Sequence, residues 1–322
     1  MSAVLRRGAV FAYKPMTCFH PNVGYRSQTI NSSGKRGIVF DKTKAITGLP
    51  VILPCGNCIG CRLERSRQWA SRLMHEAQYH EKKCFLTLTY DDIYLPPQNT
   101  LVLRDLQLFL KRLRKELNPP KSSLIKIRYF ACGEYGDDNG RPHYHLILYG
   151  VDFPDRKAYK KENGHQLWKS ETADRIWGKG FCPIGSVSQE TCGYVARYLM
   201  KKVNGELALD HYSRINPETG EWYLLKPEFI VMSRRPGIGT RYYEDYKTEI
   251  FTSDSIISNG VEIPVPSFYT KKLALENEIL HEEIKSARQK RAAKNAKDNT
   301  PERLAVRKEC LISKTKPLVR PL

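Results

Sequence analysis

Three groups of residues in this chain have side chains and spacings suited to chemistry. The first is Cys55-Gly-Asn-Cys58-Ile-Gly-Cys61, three thiols at three-residue steps. Chance would place only about 0.01 such runs among nine cysteines in a chain of this length. Thiolates so spaced, with glycine at the turns, can converge on one soft metal ion. Tetrahedral zinc needs a fourth ligand. Cys18 is the first candidate, since it lies outside the expected core strands, and His20 is the second. The alternatives are an iron–sulfur cluster, whose ferredoxin pattern wants a cysteine where Arg65 stands, and thiols that bind nothing. The second group is His143-Tyr144-His145, and the third is Tyr194 and Tyr198 followed by Lys201 and Lys202.

Elements must bring these side chains together. A strand would carry His143 and His145 on one face, with Ile147 and Tyr149 next in line. Leu124 to Tyr135 also alternates, and Gly136-Asp137-Asp138-Asn139-Gly140 between the two runs is turn chemistry, so the pair reads as an antiparallel hairpin. Centring its turn near Asp138 sets Glu134 opposite His143, at about 5 Å, where two imidazoles and a carboxylate can share a divalent ion. Two solvent-facing histidines on a sheet are the plain alternative. Ser186 with Gln189 fits a capping box opening a helix that runs to about Val203. On it Cys192, Ala196, Leu199 and Val203 form the apolar stripe, while Tyr194, Tyr198 and Lys201 fall on the other side with Lys202 beside them. A tyrosine acts as a nucleophile with a cation to favour phenolate and a metal to polarise its phosphate target; a pair that only stacks on DNA or on the core is the alternative.

Further elements follow from periodicity: a helix over 62–81, a strand over 84–90, and a helix over 104–117 with Leu106, Phe109, Leu110, Leu113 and Leu117 in one stripe. Residues 1–60 show little periodicity, 206–268 are mixed, and 269–297 read as one charged helix before a frayed basic tail. Between Lys285 and Lys297 stand Lys285, Arg288, Lys290, Arg291, Lys294 and Lys297 with no acid, a block suited to clamping a DNA backbone or simply to solvation.

Composition narrows the class. The 322 residues are 41% hydrophobic, with 18 Tyr and 11 Phe, which excludes wholesale disorder. Lys and Arg number 53 against 34 Asp and Glu, a net charge of +19, so a polyanion partner is expected, nucleic acid before an anionic membrane. A basic surface kept for solubility is the bland reading. No apolar run approaches the roughly 18 residues of a membrane span, and no secretory signal opens the chain. A cytoplasmic setting without membrane partners is therefore expected, with cysteines kept as thiols or metal ligands.

Taken together, PCGNCIGCRLERSRQW (54–69), FLTLTYDD (85–92), GRPHYHLILYG (140–150), YVARYLMKK (194–202) and MSRRPGIG (232–239) resemble the HUH endonucleases, the rolling-circle replication initiators. The resemblance is strongest to initiators of small single-stranded DNA bacteriophages of the microvirus family, gokushovirus type, in the two-tyrosine subclass. It implies an α+β fold, an antiparallel central sheet with flanking helices, in which strands 85–90, 125–135 and 143–150 are central. The tyrosine helix would cross the metal-bearing face. A Cys-rich module with a helix (1–82), a nuclease core (83–205), an accessory region (206–268) and a basic helical tail (269–322) would follow one another.

By the same resemblance, His143 and His145 are metal ligands, Tyr194 and Tyr198 the nucleophiles, and Lys201 or Lys202 the assisting lysine. Glu134 is preferred over Asp137 and Asp138 as third ligand because it belongs to the strand. Mg²⁺ or Mn²⁺ would be the catalytic metal, and zinc at Cys18, Cys55, Cys58 and Cys61 structural. Single-stranded DNA at a phage origin would be nicked to a 5′-phosphotyrosine and a free 3′-hydroxyl, in the host cytoplasm. No GxxxxGK[ST] loop is present, so a host helicase, with a host polymerase, would be partners. The rival readings are a non-catalytic zinc-containing nucleic-acid-binding protein, and an iron–sulfur oxidoreductase that leaves the charge unexplained.

Overall fold

The computed structural model describes residues 18–315 except 33, 35, 118–125, 137–138, 163, 199–206 and 217. The chain divides into two compact units. The first takes the residues up to Glu64, Val261–Ile263 and the stretch from Asn277, and the second takes Arg65–Gly260 and Pro264–Glu276.

In the first unit, β1 (Asn22–Ile30) lies between β2 (Arg36–Val39) and β3 (Ala45–Leu53), both antiparallel to it. These strands fall where little periodicity was expected. The reason is visible in β3, where Ile46 to Pro50 are exposed in succession, so the strand lacks the alternation of a half-buried sheet. Helix α1 (Ile59–Ala77) runs across the division between the units.

The second unit is organised on seven strands. They include β4 (Lys83–Leu88), β5 (Arg128–Tyr135) and β6 (Pro142–Tyr149), then β7 (Lys157–Glu162), β8 (His165–Lys169) and the short β9 (Ile184–Gly185). Helices α2 (Leu103–Leu117), α3 (Glu171–Trp177), α4 (Gln189–Arg197) and α5 (Leu207–Tyr212) intervene or follow. Past the small hairpin of β10 (Ser213–Ile215) and β11 (Trp222–Leu224), β12 (Phe229–Met232) returns to the sheet beside β5. The sheet order is β12-β5-β6-β4-β9-β8-β7, antiparallel between neighbours. Helices α6 (Thr240–Ser253) and α7 (Ser267–Glu276) complete the unit.

Alternation along β6 sorts its side chains between two cores. Tyr144, Leu146 and Leu148 join Leu86 and Leu88 under α2 and α3, where Leu106, Phe109, Leu110, Leu113 and Trp177 are buried. Ile147 and Tyr149 join Phe130 and Cys132 on the other face, under Ala70, Leu73 and Ala77 of α1 and Cys192, Val195 and Ala196 of α4. Each fully buried Leu or Phe contributes about 2 kcal/mol, so the central strands are held from both sides. Close approach also matters at Gly180, where φ is +152° and an added Cβ would meet the Thr89 carbonyl oxygen at 2.6 Å. Only glycine lets this loop lie along the end of β4, where the Asp91 N–H donates to the Lys179 carbonyl at 2.9 Å.

Two expectations need correction near the C-terminus. The single helix expected over 269–297 is two, because the Asn277 side chain accepts from the Leu280 N–H and starts α8 (Glu278–Lys294) afresh after α7. The basic block expected between Lys285 and Lys297 rides largely on α8. Where a frayed tail was expected, α9 (Pro301–Thr315) forms, opened by proline at its first position and burying Leu304.

Candidate active site and thiolate cluster

Strand register assembles the site in the second unit. Glu134 pairs directly with His143, Cys132 with His145, and Thr87 with His145 from the other side. Directly opposed residues share a face, so three neighbouring strands present one row of polar side chains on the α4 side of the sheet. Nε2 of His143 and Nε2 of His145 lie 2.7 and 2.9 Å from the same Glu134 oxygen, Oε1. The hairpin geometry expected from alternation and turn chemistry is therefore present. Asp137 and Asp138 lie outside the described residues.

The outer nitrogens fix which way the rings face. Nδ1 of His143 is 3.1 Å from the Arg141 carbonyl, which can only accept, so this nitrogen carries the proton and the neutral ring turns its Nε2 lone pair toward Glu134. Nδ1 of His145 meets the Thr87 hydroxyl at 3.0 Å. Arg141 is itself anchored, its guanidinium donating to the Tyr90 carbonyl at 2.8 Å and pairing with Asp92. Tyr144, between the histidines, points to the opposite core and donates to the Val102 carbonyl at 3.0 Å. Burial works to raise the Glu134 carboxyl, but hydrogen bonds from His143 and His145 and their charge outweigh it and hold the group well below the usual carboxylate range. Two imidazole nitrogens and one carboxylate oxygen, all within 4.8 Å of one another, form a donor set that fits a divalent cation.

Helix α4 brings the tyrosines to this row. Its capping box is made by Ser188 and Thr191, not by Ser186 and Gln189: Ser188 Oγ accepts from the Thr191 N–H while Thr191 Oγ1 accepts from the Ser188 N–H. Threonine serves in the reciprocal position because its hydroxyl can accept as a carboxylate does. The described helix ends at Arg197 with Tyr198 as its cap, and Leu199 onward, including Lys201 and Lys202, lies outside the described residues. The Tyr194 hydroxyl is 3.5 Å from His145 Nε2, and its ring stands edge-on to that imidazole. Tyr198 stacks on the same imidazole, 5.2 Å between ring centres and 13° from parallel.

The two tyrosines differ in exposure. Tyr194 is 37% exposed and Tyr198 only 7%. The expectation that both point away from the packed side of their helix is thus corrected for Tyr198, whose ring fills the gap between α4 and the sheet. Burial first, then Glu134 and Tyr194, pushes the Tyr198 phenol far above its ordinary range. Arg197 lies over the Tyr194 ring at 5.8 Å. Thr87, Arg141 and Arg197 were not singled out from the sequence. Thr87 was within reach of the pattern, because it alternates with Phe85 toward the site face.

The first unit holds the second cluster. The Sγ atoms of Cys18, Cys55, Cys58 and Cys61 all lie within 4.8 Å of one another. Cys18 thus joins the three-thiol run, whereas His20 turns its Nε2 to Lys308 Nζ at 3.1 Å. Backbone N–H groups point at the sulfurs: Cys55 N–H donates to Cys18 at 3.2 Å, Cys58 N–H to Cys55 at 3.3 Å, and Phe19 N–H to Cys58 at 3.4 Å. Burial opposes ionisation of Cys58, yet backbone donors from Cys61 and Phe19 and the neighbouring thiols bring it down to about 7. Cys58 also directly precedes α1, where the helix N-terminus favours negative charge. Four converging sulfurs with donors to them match what a bound soft cation requires.

Comparison with known proteins now adds to the geometry. A family model described as replication-associated protein ORF2 matches residues 83–203, a span that includes Glu134, His143, His145, Tyr194 and Tyr198. The chain is 33% identical over 251 residues to the replication-associated protein ORF2 of Spiroplasma virus 4, covering 74% of this chain and 73% of that one. It is 35% identical over 221 residues to the replication-associated protein VP4 of Bdellovibrio phage phiMH2K, covering 67% and 65%. With the replication-associated protein ORF4 of Chlamydia phage 1 it shares 27% identity over 250 residues, 74% of this chain and 58% of that one. No solved structure matches the chain. Among the described residues, no helix is long and apolar enough to cross a membrane. On its likeness to the Spiroplasma virus protein over most of both chains, this protein belongs to the phage replication-associated proteins of the ORF2 family, with a role in phage replication.

Proposed function

We propose that this protein is an HUH-type endonuclease and strand transferase that initiates rolling-circle replication by nicking single-stranded DNA at the phage origin. The observation that carries the reading is the convergence of Tyr194 on the three-residue row of Glu134, His143 and His145. The Tyr194 oxygen attacks the phosphorus, the P–O3′ bond breaks, and the phenolic proton is balanced by the one gained at the departing 3′-oxygen. The products are a 5′-phosphotyrosine and a 3′-hydroxyl that primes synthesis. The ester energy stays in the adduct, so no nucleotide hydrolysis is needed.

Glu134, His143 and His145 would hold Mg²⁺ or Mn²⁺, which when bound stabilises charge developing on the phosphate oxygens. Arg141 and Thr87 keep the imidazoles turned inward. Arg197 sets positive charge beside Tyr194, a role first expected of Lys201 or Lys202. Exposure supports Tyr194 as the first nucleophile, with Tyr198 acting after the chain around the end of α4 gives it access.

The Cys18, Cys55, Cys58 and Cys61 set would hold structural zinc. Host helicase and polymerase would act on the primed strand in the host cytoplasm. The test is covalent capture: origin single strands incubated with the protein and Mn²⁺ should give a DNA band shifted on a denaturing gel and collapsed by protease. Salt-sensitive binding with no such band would leave only a nucleic-acid-binding protein.

A further inference from the structure

The segment Ser233 to Gly239 takes no part in the row of Glu134, His143 and His145, yet three elements fix it in place. Arg72 of α1 is buried, sandwiched between Trp69 at 4.0 Å and Phe268 at 3.8 Å, and its Nε and Nη2 both donate to the Ile238 carbonyl, at 3.1 and 2.9 Å. Glu76, also buried, accepts from the Gly239 N–H at 2.8 Å and pairs with Arg128 of β5. Arg128 in turn donates to the Pro236 carbonyl at 3.0 Å. Ser233 and Tyr129 exchange two hydrogen bonds, at 2.9 and 3.1 Å. Gly239 has φ +78°, and a Cβ there would meet the Tyr269 hydroxyl oxygen at 2.7 Å, so the backbone leaves the segment along one path.

Burying an arginine and a glutamate is costly unless they are fully engaged, and well-packed apolar residues would often stabilise the fold as much. Here the buried charges are directed at the backbone of a surface segment, where they secure a fixed shape. That shape displays Arg234 and Arg235, both exposed, and neither makes an ion pair or hydrogen bond among the described residues. Ile238, at the far end of the segment, packs in the same core as Cys192, Val195, Ala196 and Tyr198 of the tyrosine helix. The segment is therefore docked on the sheet face that carries Glu134, His143 and His145.

We propose that Arg234 and Arg235 form a pre-shaped phosphate clasp for the backbone of single-stranded DNA, separate from the metal row. Two guanidinium groups held on a rigid turn lose little entropy on meeting phosphates, and each offers paired donors. Such contacts position a strand without reading its sequence. The proposal rests on the nucleic-acid reading of the site, but it is tested without cleavage.

Binding of the full chain to fluorescent oligothymidylate would be followed by anisotropy in EDTA across a salt series. R234A/R235A should weaken binding on the order of tenfold at low salt and flatten the dependence of log affinity on log salt by about 1.4, roughly 0.7 for each lost phosphate contact. K160A/K161A removes equal charge from β7, at the opposite edge of the sheet, and should leave the curve unchanged. Unchanged binding by R234A/R235A, or equal weakening by both variants, would overturn the clasp. Failure of the nicking reading would show instead as wild-type protein that binds the oligonucleotide and never forms a covalent product with Mn²⁺.

Discussion

The Tyr194 hydroxyl stands 3.5 Å from Nε2 of His145, while Tyr198, one helical turn on, lies flat against the same imidazole. One tyrosine offers its oxygen to the polar row and the other offers its ring. Tyr194→Phe should therefore abolish the first cleavage in a single-turnover assay, by 100-fold or more at about 2.7 kcal/mol. Tyr198→Phe should still cut once but fail to pass the strand on when two origin copies are present. A Tyr198→Phe protein that cannot make the first cut, beside a Tyr194→Phe protein that can, would invert the order.

Metal affinity should follow the row. Calorimetric titration with Mn²⁺ should show binding lost in Glu134→Gln and in the double variant His143→Ala/His145→Ala, with the fold retained by circular dichroism. Thr87→Val removes only the hydroxyl beside Nδ1 of His145, and should weaken Mn²⁺ about tenfold, as loss of an outer partner does. Mn²⁺ binding unchanged in Glu134→Gln would place the carboxylate ligand elsewhere.

The thiolate cluster should behave as a folding element. Elemental analysis should find about one zinc per chain, retained in the histidine variants and lost in Cys58→Ser together with melting temperature. The reason is that metal binding at such a site is coupled to folding. Iron with sulfide, or no metal in protein purified without chelator, would contradict the assignment.

A pH effect follows from His75, which is buried, hydrogen-bonded through Nδ1 to the Tyr269 hydroxyl at 2.8 Å and stacked on Tyr242. Burial pushes its imidazole from 6.5 down to about 4. Between those values the unfolded chain binds a proton that the folded protein refuses, so stability is full above 6.5 and falls as pH drops toward 4. The swing attributable to this residue is about 3 kcal/mol. Denaturant melts of wild type and His75→Gln should converge as pH falls through that window; parallel curves would remove His75 as the cause.

The parts of this fold legible in the sequence were those written in local pattern. Alternation on both sides of a glycine- and aspartate-rich turn placed Glu134 opposite His143, and the leucine stripe of α2 identified its buried face. Cys18 was found by elimination and does join the other thiols. What escaped was non-local or unpatterned. The Phe229–Met232 strand gains its identity only by pairing with Phe130–Gly133, about a hundred residues away. The N-terminal sheet lacks alternation, and Tyr198 is buried by the sheet beneath it, which a helical wheel does not contain. The site residues themselves were more legible than the partners that orient them, since Thr87 and Arg141 act only once β4 and the hairpin are side by side.

The central claim is that Tyr194, served by Glu134, His143 and His145, makes a covalent bond to DNA. The most direct measurement is mass spectrometry of the protease-digested product formed with labelled origin single strands and Mn²⁺. The account predicts a nucleotide-bearing peptide that contains Tyr194 as the first adduct, absent with EDTA and absent in the Tyr194→Phe/Tyr198→Phe protein. An adduct on Tyr242, Tyr246 or Tyr90, or one formed undiminished by the double variant, would contradict it.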